Sequence, residues 1–344
     1  MKKNLFILGM MAVLTTLLFV SCTGEDPVEE VDPVVELINS GELKGVLNES
    51  VTLKASTNYK LTGSFIVNDG VTLTVPAGTK ITATAAAGQA TETYIAVMMG
   101  GKININGTSA APVVMSSLNG NPQDWGGLTI CGKATTSAGA NATAEVGNFK
   151  YGGTVDNDNS GSISYLVIKG SGAKINTESE YNGLTMYAVG SSTQISNVAI
   201  INGADDGVEF FGGTVSVSNL YLENNEDDAI DWTEGWNGTV TNAYVKHTIN
   251  GFSTVVEADG PNANPKLVNL TAINTNPSGV GTALQFKKTS GGTFTNLHLE
   301  GYSKIIDTPN NAPLTGILIE NLAASITATY QKGKLDITSW TWFK

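Results

Sequence analysis

Two acidic segments carry the residue types best suited to chemistry in this sequence. Each has a pair of adjacent aspartates and another acidic residue three positions after the pair: Asp205, Asp206 and Glu209 in the first, Asp227, Asp228 and Asp231 in the second. Carboxylates held close together must be protonated, bridged by a cation or stabilised by hydrogen-bond donors. If the fold stacks the two segments, they form one shared carboxylate site.

Three interpretations of this site are open at the level of sequence. In the first, the aspartates accept backbone N–H bonds and shape a turn. In the second, a hard cation such as Ca²⁺ takes oxygens from four carboxylates: Asp206, Asp228, Glu209 and Asp231. In the third, Asp206 and Asp228 act as the acid and base of an inverting glycoside hydrolase, and Lys287 binds a uronate.

The elements that must position these residues form a repeat. From residue 182 onward, one recurring segment places an asparagine at intervals of 22, 23, 27 and 27 residues: Asn197, Asn219, Asn242, Asn269 and Asn296. A strand, a turn and an asparagine recurring at this period predict an all-β, right-handed parallel β-helix. Stacked in one column, the asparagines are expected to hydrogen-bond one another along the axis.

A second recurring segment contains the acidic residues, in "NGLTMYA", "DGVEFFGG", "DAIDWTEG", "NGFSTVVEA" and "TALQFKKTSGG". Strand alternation predicts two inward columns: Leu184, Val208, Ile230, Ser253 and Leu284, then Met186, Phe210, Trp232, Val255 and Phe286. The column between them is expected to face solvent: Thr185, Glu209, Asp231, Thr254 and Gln285. Rungs about 4.8 Å apart would set Glu209 beside Asp231.

The start of the chain predicts export and a lipid anchor. Two lysines and an apolar run lead to "FVSC", which resembles the lipobox of bacterial lipoproteins and implies lipidation of Cys22. We predict a signal peptide at 1–21, an acidic flexible tether at 22–35 and a β-helix domain at 36–344. The acidic tract resembles that of surface lipoproteins of the Bacteroidetes, which implies an outer-membrane protein facing the cell exterior.

The charge of the chain excludes several classes of partner. The formal net charge is −12, which argues against binding to nucleic acid or to anionic phospholipid, so the lipid is the only expected contact with a membrane. The sequence has no arginine, which excludes any mechanism that needs a guanidinium group. Cys131, the one cysteine after Cys22, alternates with apolar residues and is expected to be buried.

Several motifs closely resemble a group of secreted or lipid-anchored β-helix proteins, mostly from Bacteroidetes. They include "VNDGVTLTVPAGTKI", "GGKININGTSAAPVVM", "DWGGLTICGKA" and "NGLTMYAVGSSTQISNVAI", and the resemblance covers about residues 60–245. It implies a pectin-lyase-like β-helix. The group is largely without assigned activity, so the resemblance implies no reaction.

The order of the acidic motifs also resembles that of polygalacturonases, which place aspartates on adjacent rungs before a histidine and a basic segment. Here His247 and "QFKKT", residues 285–289, follow the aspartates, but the arginine of that family is absent. A pectate-lyase-like elimination would have only Lys287 or Lys288 as its base. His247 and His298 are expected to have ordinary surface or turn roles.

Aromatic residues near the acidic segments suggest a different way to bind sugars. Tyr187, Phe211 and Trp236 are expected on an outer face, as a platform on which sugar rings stack. At the end of the chain, Trp340 and Trp342 are expected to close the last rung.

Together these features favour a cell-surface lipoprotein that binds a glycan or a surface protein without transforming it. Ca²⁺ is the only cofactor for which the sequence offers ligands. The alternative is a carbohydrate-active enzyme that uses Asp206 and Asp228.

Overall fold

Short strands stack in parallel to form the β-helix that the repeats predict. The computed structural model describes residues 32–85, 88–177 and 179–344. Within these ranges, 23 strands join one continuous sheet. The paired strands are parallel except in two short hairpins. The predicted all-β parallel β-helix is therefore confirmed.

The elements follow one another in short units along the chain. The helix α1 spans Pro33–Ser40, and 3-10 turns span Ala90–Glu92 and Pro309–Asn311. The strands are β1 Glu42–Leu47, β2 Val51–Thr52, β3 Asn58–Val67, β4 Thr72–Pro76, β5 Lys80–Ala83, β6 Ile95–Val97, β7 Lys102–Asn106, β8 Val113–Ser117, β9 Leu128–Cys131, β10 Ala142–Thr143, β11 Lys150–Tyr151, β12 Gly161–Lys169, β13 Leu184–Tyr187, β14 Gln194–Ile201, β15 Val208–Phe211, β16 Ser216–Glu223, β17 Ile230–Thr233, β18 Thr239–His247, β19 Thr254–Ala258, β20 Lys266–Asn274, β21 Thr282–Phe286, β22 Gly292–Glu300, β23 Lys304–Asp307, β24 Ile317–Ile319 and β25 Leu322–Ala323.

One face of the solenoid, here called sheet A, carries the acidic segments. It consists of β6, β9, β13, β15, β17, β19, β21 and β23, each paired in parallel with the next. The predicted register places Leu184 beside Val208, and Val208 beside Ile230, as the structure does. The inward side chains of these strands lie in the main core.

The predicted register is wrong in β19. Val256 pairs with Ile230 and with Leu284, so Val256 and Ala258 occupy the inward columns that were assigned to Ser253 and Val255. Glu257, not Thr254, therefore stands beside Asp231 in the outward column. The chain advances 11 positions from Lys246 to Glu257 but 8 from their pairing partners Glu223 to Asp231, and these three extra residues moved the alignment.

The long strands confirm the predicted asparagine column. Strands β14, β16, β18, β20 and β22 each contain one of the five asparagines, all in the left-handed backbone region with φ between 56° and 61°. Each Nδ2 donates to the Oδ1 of the preceding asparagine, at 3.1, 2.9, 2.8 and 2.9 Å. We call this column the asparagine ladder.

Helix α1 packs beside the first strand of the solenoid. Asp32 caps it by accepting the N–H of Val34, and Ile38 enters the main core. The predicted boundary at residue 36 lies inside this helix. Cys22, the signal peptide and residues 22–31 of the tether lie outside the described residues. Among the described residues, no helix is long and apolar enough to cross a bilayer.

The prediction that Trp340 and Trp342 close the last rung is wrong. The C-terminal segment runs along the side of the solenoid, where Trp342 packs on the outer side chains of Val167 and Ala199. The end of the main core is covered instead by the antiparallel pair β24–β25 and by Tyr330. The apolar rings there cover outward apolar side chains of the strands.

A hairpin made by β10 and β11 folds over the outer face of sheet A. We call residues 142–151 the flap. Its side chains Val146, Phe149 and Tyr151 form a second apolar cluster with Tyr187 and Phe211 of the sheet. The flap therefore buries part of the face that also carries the acidic residues.

Candidate functional site

The outward column of sheet A is a row of carboxylates on adjacent rungs. Glu209 pairs directly with Asp231, and Asp231 with Glu257. The predicted stacking of Glu209 and Asp231 is confirmed, but the column does not face open solvent. All three residues are at least nine-tenths buried, below the groove wall and the flap.

A second row of side chains lies at the turn before sheet A, and it supports the backbone. Asp206 Oδ1 accepts the N–H of Asp228 at 2.9 Å. Asp228 Oδ1 in turn accepts the N–H and the hydroxyl of Thr254, at 2.7 and 2.6 Å. Asn182 begins the row by accepting the N–H of Asp206. The interpretation of these two aspartates as turn-forming acceptors is therefore confirmed.

Three carboxylates from both rows meet at one point. Oxygens of Asp206, Glu209 and Asp231 all lie within 4.8 Å of one another. Asn182 Nδ2 donates to Glu209 at 2.6 Å, whereas Asp231 Oδ1 is buried and has no hydrogen-bond partner. Asp228, the fourth predicted ligand, is turned toward Thr254 instead. We call the three residues the carboxylate cluster.

Burial and mutual repulsion raise the pKa values of these acids. Burial is the largest cause for Asp206, Glu209 and Asp231, and neighbouring carboxylates add to it, so their pKa values lie well above the ordinary range. Burial and Glu257 together raise the pKa of Asp228 to about 7. At neutral pH the cluster therefore holds protons unless a cation takes their place.

The carboxylate cluster opens into a groove of about 390 Å³. Asp205 and Asp227, the first members of each aspartate pair, line it together with Glu145 of the flap and Glu180. Burial, followed by repulsion from Asp227, raises the pKa of Asp205 to about 8, and burial, followed by repulsion from Asp228, raises that of Asp227 to about 6. The groove continues into a neighbouring cavity of about 550 Å³ that shares Glu180, Asp205 and Asp227.

Lys287 is the one cation that lines the groove of the carboxylate cluster among the described residues. Burial lowers the pKa of Lys287, but its ion pair with Glu257 and the nearby Asp228 and Asp231 together raise it by more, so the pKa is raised. Lys287, which the hydrolase interpretation assigns to a uronate, thus lies in the same groove as the aspartates. Lys288 points elsewhere and pairs with Asp259 at 2.9 Å.

Comparison with known proteins identifies the fold at the level of a family. The model of the pectate-lyase-like β-helix domain matches residues 45–338. The chain belongs to that family. No curated protein and no solved structure matches the chain.

The predicted aromatic platform of this pectate-lyase-like β-helix does not exist. Tyr187 and Phe211 stack on each other with ring centroids 4.2 Å apart, and the flap covers them. Trp236 is fully buried in the main core, where it stacks on Phe210. Tyr187 and Phe211 were placed outside because the sequence does not show that a distant hairpin returns to cover sheet A.

The two histidines differ from their predicted surface roles. His247 is fully buried, stacks on Phe252 with ring centroids 3.8 Å apart and shares a hydrogen bond with the hydroxyl of Tyr302. Burial lowers its pKa to about 4, so it remains neutral. His298 contacts Glu300 and is mostly buried. Neither lines the groove of the carboxylate cluster.

Glu257 is the functional candidate that the sequence prediction missed. The signal was present, because "VEF", "IDW" and "VEA" are the same apolar–acidic–apolar triplet on three rungs. Cys131, predicted to be buried, is confirmed as fully buried, and burial raises its pKa to about 12. It packs with the flap and is no nucleophile.

Proposed function

We propose that this chain is a lipid-anchored cell-surface protein whose β-helix binds an acidic glycan through Ca²⁺ and does not cleave it. The lipid at Cys22 and the tether would hold the domain outside the outer membrane. One observation carries the binding proposal. Asp231 belongs to a cluster of three carboxylates and has a buried oxygen, Oδ1, without a hydrogen-bond partner.

The chemistry of the cluster favours a hard cation. Ionised carboxylates only accept hydrogen bonds, so a stacked row of them cannot satisfy itself without protons or a cation. Ca²⁺ takes six to eight oxygen ligands and tolerates irregular geometry. Asp206, Glu209 and Asp231 offer three carboxylates at suitable mutual distances. Such an ion would offset the repulsion that raises their pKa values.

The composition of the groove is the reason for proposing a glycan as the ligand. An ion held by three carboxylates keeps coordination positions for outside oxygens. Nine of the 13 residues that line the groove are acidic, so an acidic ligand would be repelled by the empty groove and attracted to the ion once the ion is bound. Uronate carboxylates and sugar hydroxyls are oxygen ligands of this kind.

The contacts of Asp206 and Asp228 argue against the catalytic roles predicted for them. Each uses an oxygen to hold the backbone of the next rung. Lys287 is bound to Glu257, which leaves it poorly placed as a base. A general acid or base must reach the substrate, and these groups are directed at the protein.

The first experiment is thermal unfolding of the purified protein in EDTA and in millimolar Ca²⁺. Saturation to 100 times the dissociation constant should stabilise the fold by about 2.7 kcal/mol. Asp231→Asn should lose most of this effect, and in EDTA it should be at least as stable as wild type, because it removes one charge from the cluster.

The matched control is Asp307→Asn, which lies two rungs beyond Glu257 in the same column and outside the cluster. It should keep the full response to Ca²⁺. No change in the wild-type midpoint on adding Ca²⁺ would refute the cation site.

Glycan binding is tested separately with polygalacturonate and alginate. We expect both the wild type and Asp307→Asn to bind at least one of these polymers in Ca²⁺ and to release it in EDTA. Release of new reducing ends or of unsaturated products would contradict the proposal of binding without cleavage.

One observation favours hydrolysis as a second candidate function. Asp205 and Asp227 line the groove, with pKa values of about 8 and about 6, so near pH 7 one holds a proton and the other is ionised. This is the division that an acid and a base require. If product release is found, Asp205→Asn and Asp227→Asn should abolish it, and Asp307→Asn should not.

A further inference from the structure

A separate cleft of about 350 Å³ lies near the first rungs of the β-helix. Its walls come from β1, from β3, from the segment just before β6 and from Tyr181. The side chains that matter to its chemistry are Lys44, Ser64, Gln89, Glu92, Tyr94 and Tyr181. None of these residues belongs to the carboxylate cluster. We call it the tyrosine cleft.

One wall of the tyrosine cleft is formed by Tyr94, which is half-buried, and the buried Tyr181 packs against it. Tyr94 and Tyr181 stack with ring centroids 5.1 Å apart, and Phe149 of the flap meets Tyr94 edge-on at 6.0 Å. Tyr94 is hydrogen-bonded to Ser64 and to Tyr181. Burial raises the pKa values of both tyrosines, so both phenols stay neutral. The wall is therefore an uncharged amphipathic surface that is fixed in place.

The rim of the cleft carries one positive and one negative side chain. Lys44 and Glu92 are both exposed, and no ion pair within the described ranges involves either of them. The stem of Lys44 crosses Gly63, where a Cβ atom would lie 3.1 Å from the lysine Cε. The glycine thus leaves room for the lysine to lie along the wall of the cleft. Gln89 adds an amide with both a donor and an acceptor.

We propose that the tyrosine cleft binds a neutral hexopyranose unit of a glycan. A pyranose ring has an apolar C–H face that packs on an aromatic wall, and hydroxyl groups that need both donors and acceptors. Lys44 donates, Glu92 accepts and Gln89 does both. The opposite charges of the rim cancel, which favours a neutral sugar over a uronate or an amino sugar. The volume lies in the range of small-molecule sites.

This site needs no metal ion, which separates it from the carboxylate cluster. It differs also from the predicted platform, because Tyr187, Phe211 and Trp236 are absent from it. A failure of the Ca²⁺ site would leave this inference standing, and the reverse is also true.

The test is saturation-transfer NMR on the purified full-length protein in EDTA and a detergent without sugar headgroups. The probes are the methyl α- and β-pyranosides of glucose, galactose and mannose, with methyl galacturonide as the charged comparison. We expect at least one neutral glycoside to bind with a millimolar dissociation constant, with the strongest transfer to its ring C–H protons. The uronide should bind at least tenfold more weakly.

Two variants locate the binding. Lys44→Met keeps the stem and removes the donor, and it should weaken binding at least tenfold while the unfolding midpoint is retained. Lys60→Met, an exposed lysine of β3 that does not line the cleft, is the matched control and should bind as wild type. Tyr94→Ala should abolish binding, and if it fails to fold, Lys44→Met still decides.

Three results would overturn the inference. The first is that no neutral glycoside binds the wild type. The second is that binding persists unchanged in Lys44→Met. The third is that a neutral glycoside binds only when Ca²⁺ replaces EDTA in the same experiment, which would assign the sugar to the carboxylate cluster.

Discussion

Two polar columns run along the same β-helix, and only one of them satisfies its own hydrogen bonds. In the asparagine ladder, each inner amide donates to one neighbour and accepts from the other. In the carboxylate column, Glu209, Asp231 and Glu257 stack at the same rung spacing but can only accept. Stacking in register is therefore structural for amides, and for carboxylates it creates a need for protons or cations.

The surroundings of the two columns increase this difference. The asparagines are half-buried at a bend, where water can reach them, whereas the carboxylates lie almost wholly buried below the groove wall. Low polarity strengthens the repulsion between the carboxylates. The same repeat architecture thus produces a neutral, closed ladder on one side and a charged, incomplete one on the other.

The largest effect should come from pH in the absence of a cation. The folded state raises the pKa of Asp228 from 3.8 to about 7 and that of Asp205 to about 8, so between about pH 4 and pH 8 it holds more protons than the unfolded state. Stability is therefore present at low pH and is lost as the pH rises. Each net proton contributes a slope of about 1.4 kcal/mol per pH unit.

Urea unfolding in EDTA at several values between pH 5 and pH 8 measures this slope. Saturating Ca²⁺ should flatten it, because the ion replaces the protons. Asn242→Gly, on the other column, should shift the curve without changing its slope. Stability that is constant or that increases over this range would show that the carboxylates are ionised in the folded state.

A smaller effect should follow from placing a carboxylate in the asparagine ladder. Asn242→Asp loses the Nδ2 donor that lies 2.9 Å from Asn219 Oδ1 and sets two acceptors against each other. We expect a loss of about 2 kcal/mol at pH 7. Part of it should be recovered near pH 4, where a protonated carboxyl can donate again.

The control for this variant is Asn242→Gly, which removes both side-chain hydrogen bonds but accepts the left-handed backbone at φ 60°. It should lose about 1 kcal/mol at both pH values. An Asn242→Asp protein as stable as wild type at pH 7 would mean that the ladder tolerates charge, and the contrast between the columns would fail.

The sequence was sufficient to predict the asparagine ladder because its period and its residue type do not depend on distant parts of the chain. The same is true of the stacking of Glu209 and Asp231, which follows from strand alternation in two similar segments. The predicted register was wrong only at β19, where three extra residues between Lys246 and Glu257 displaced the alignment and Glu257 was missed.

The burial of the carboxylate site could not be predicted from the sequence, for a different reason. The flap lies between β9 and β12 in the chain, and its packing on Tyr187 and Phe211 depends on contacts that no local pattern records. The position of the C-terminal segment also depends on distant contacts, because Trp342 packs on apolar side chains of β12 and β14. Alternation predicts which way a side chain points, but it does not predict what later covers it.

The smallest effect compares two lysines that are equally exposed. The side chain of Lys287 is 37% exposed and pairs with Glu257, and that of Lys246 is 38% exposed and pairs with Glu223. Their carboxylate partners differ, since the side chain of Glu257 is 10% exposed and that of Glu223 is 21% exposed. Lys287→Met should therefore cost about 1 kcal/mol, and Lys246→Met less than about 0.5 kcal/mol.

The pair also tests whether the carboxylate column attracts a cation. Removing Lys287 makes the groove more negative, so Lys287→Met should bind Ca²⁺ more tightly than wild type in a calorimetric titration, whereas Lys246→Met should not differ from wild type. Equal Ca²⁺ affinities in all three proteins would show that the ion does not bind in this groove. A tighter site only in Lys287→Met would place the ion beside Glu257 and its neighbours, because an added charge acts strongly only over a short distance in water.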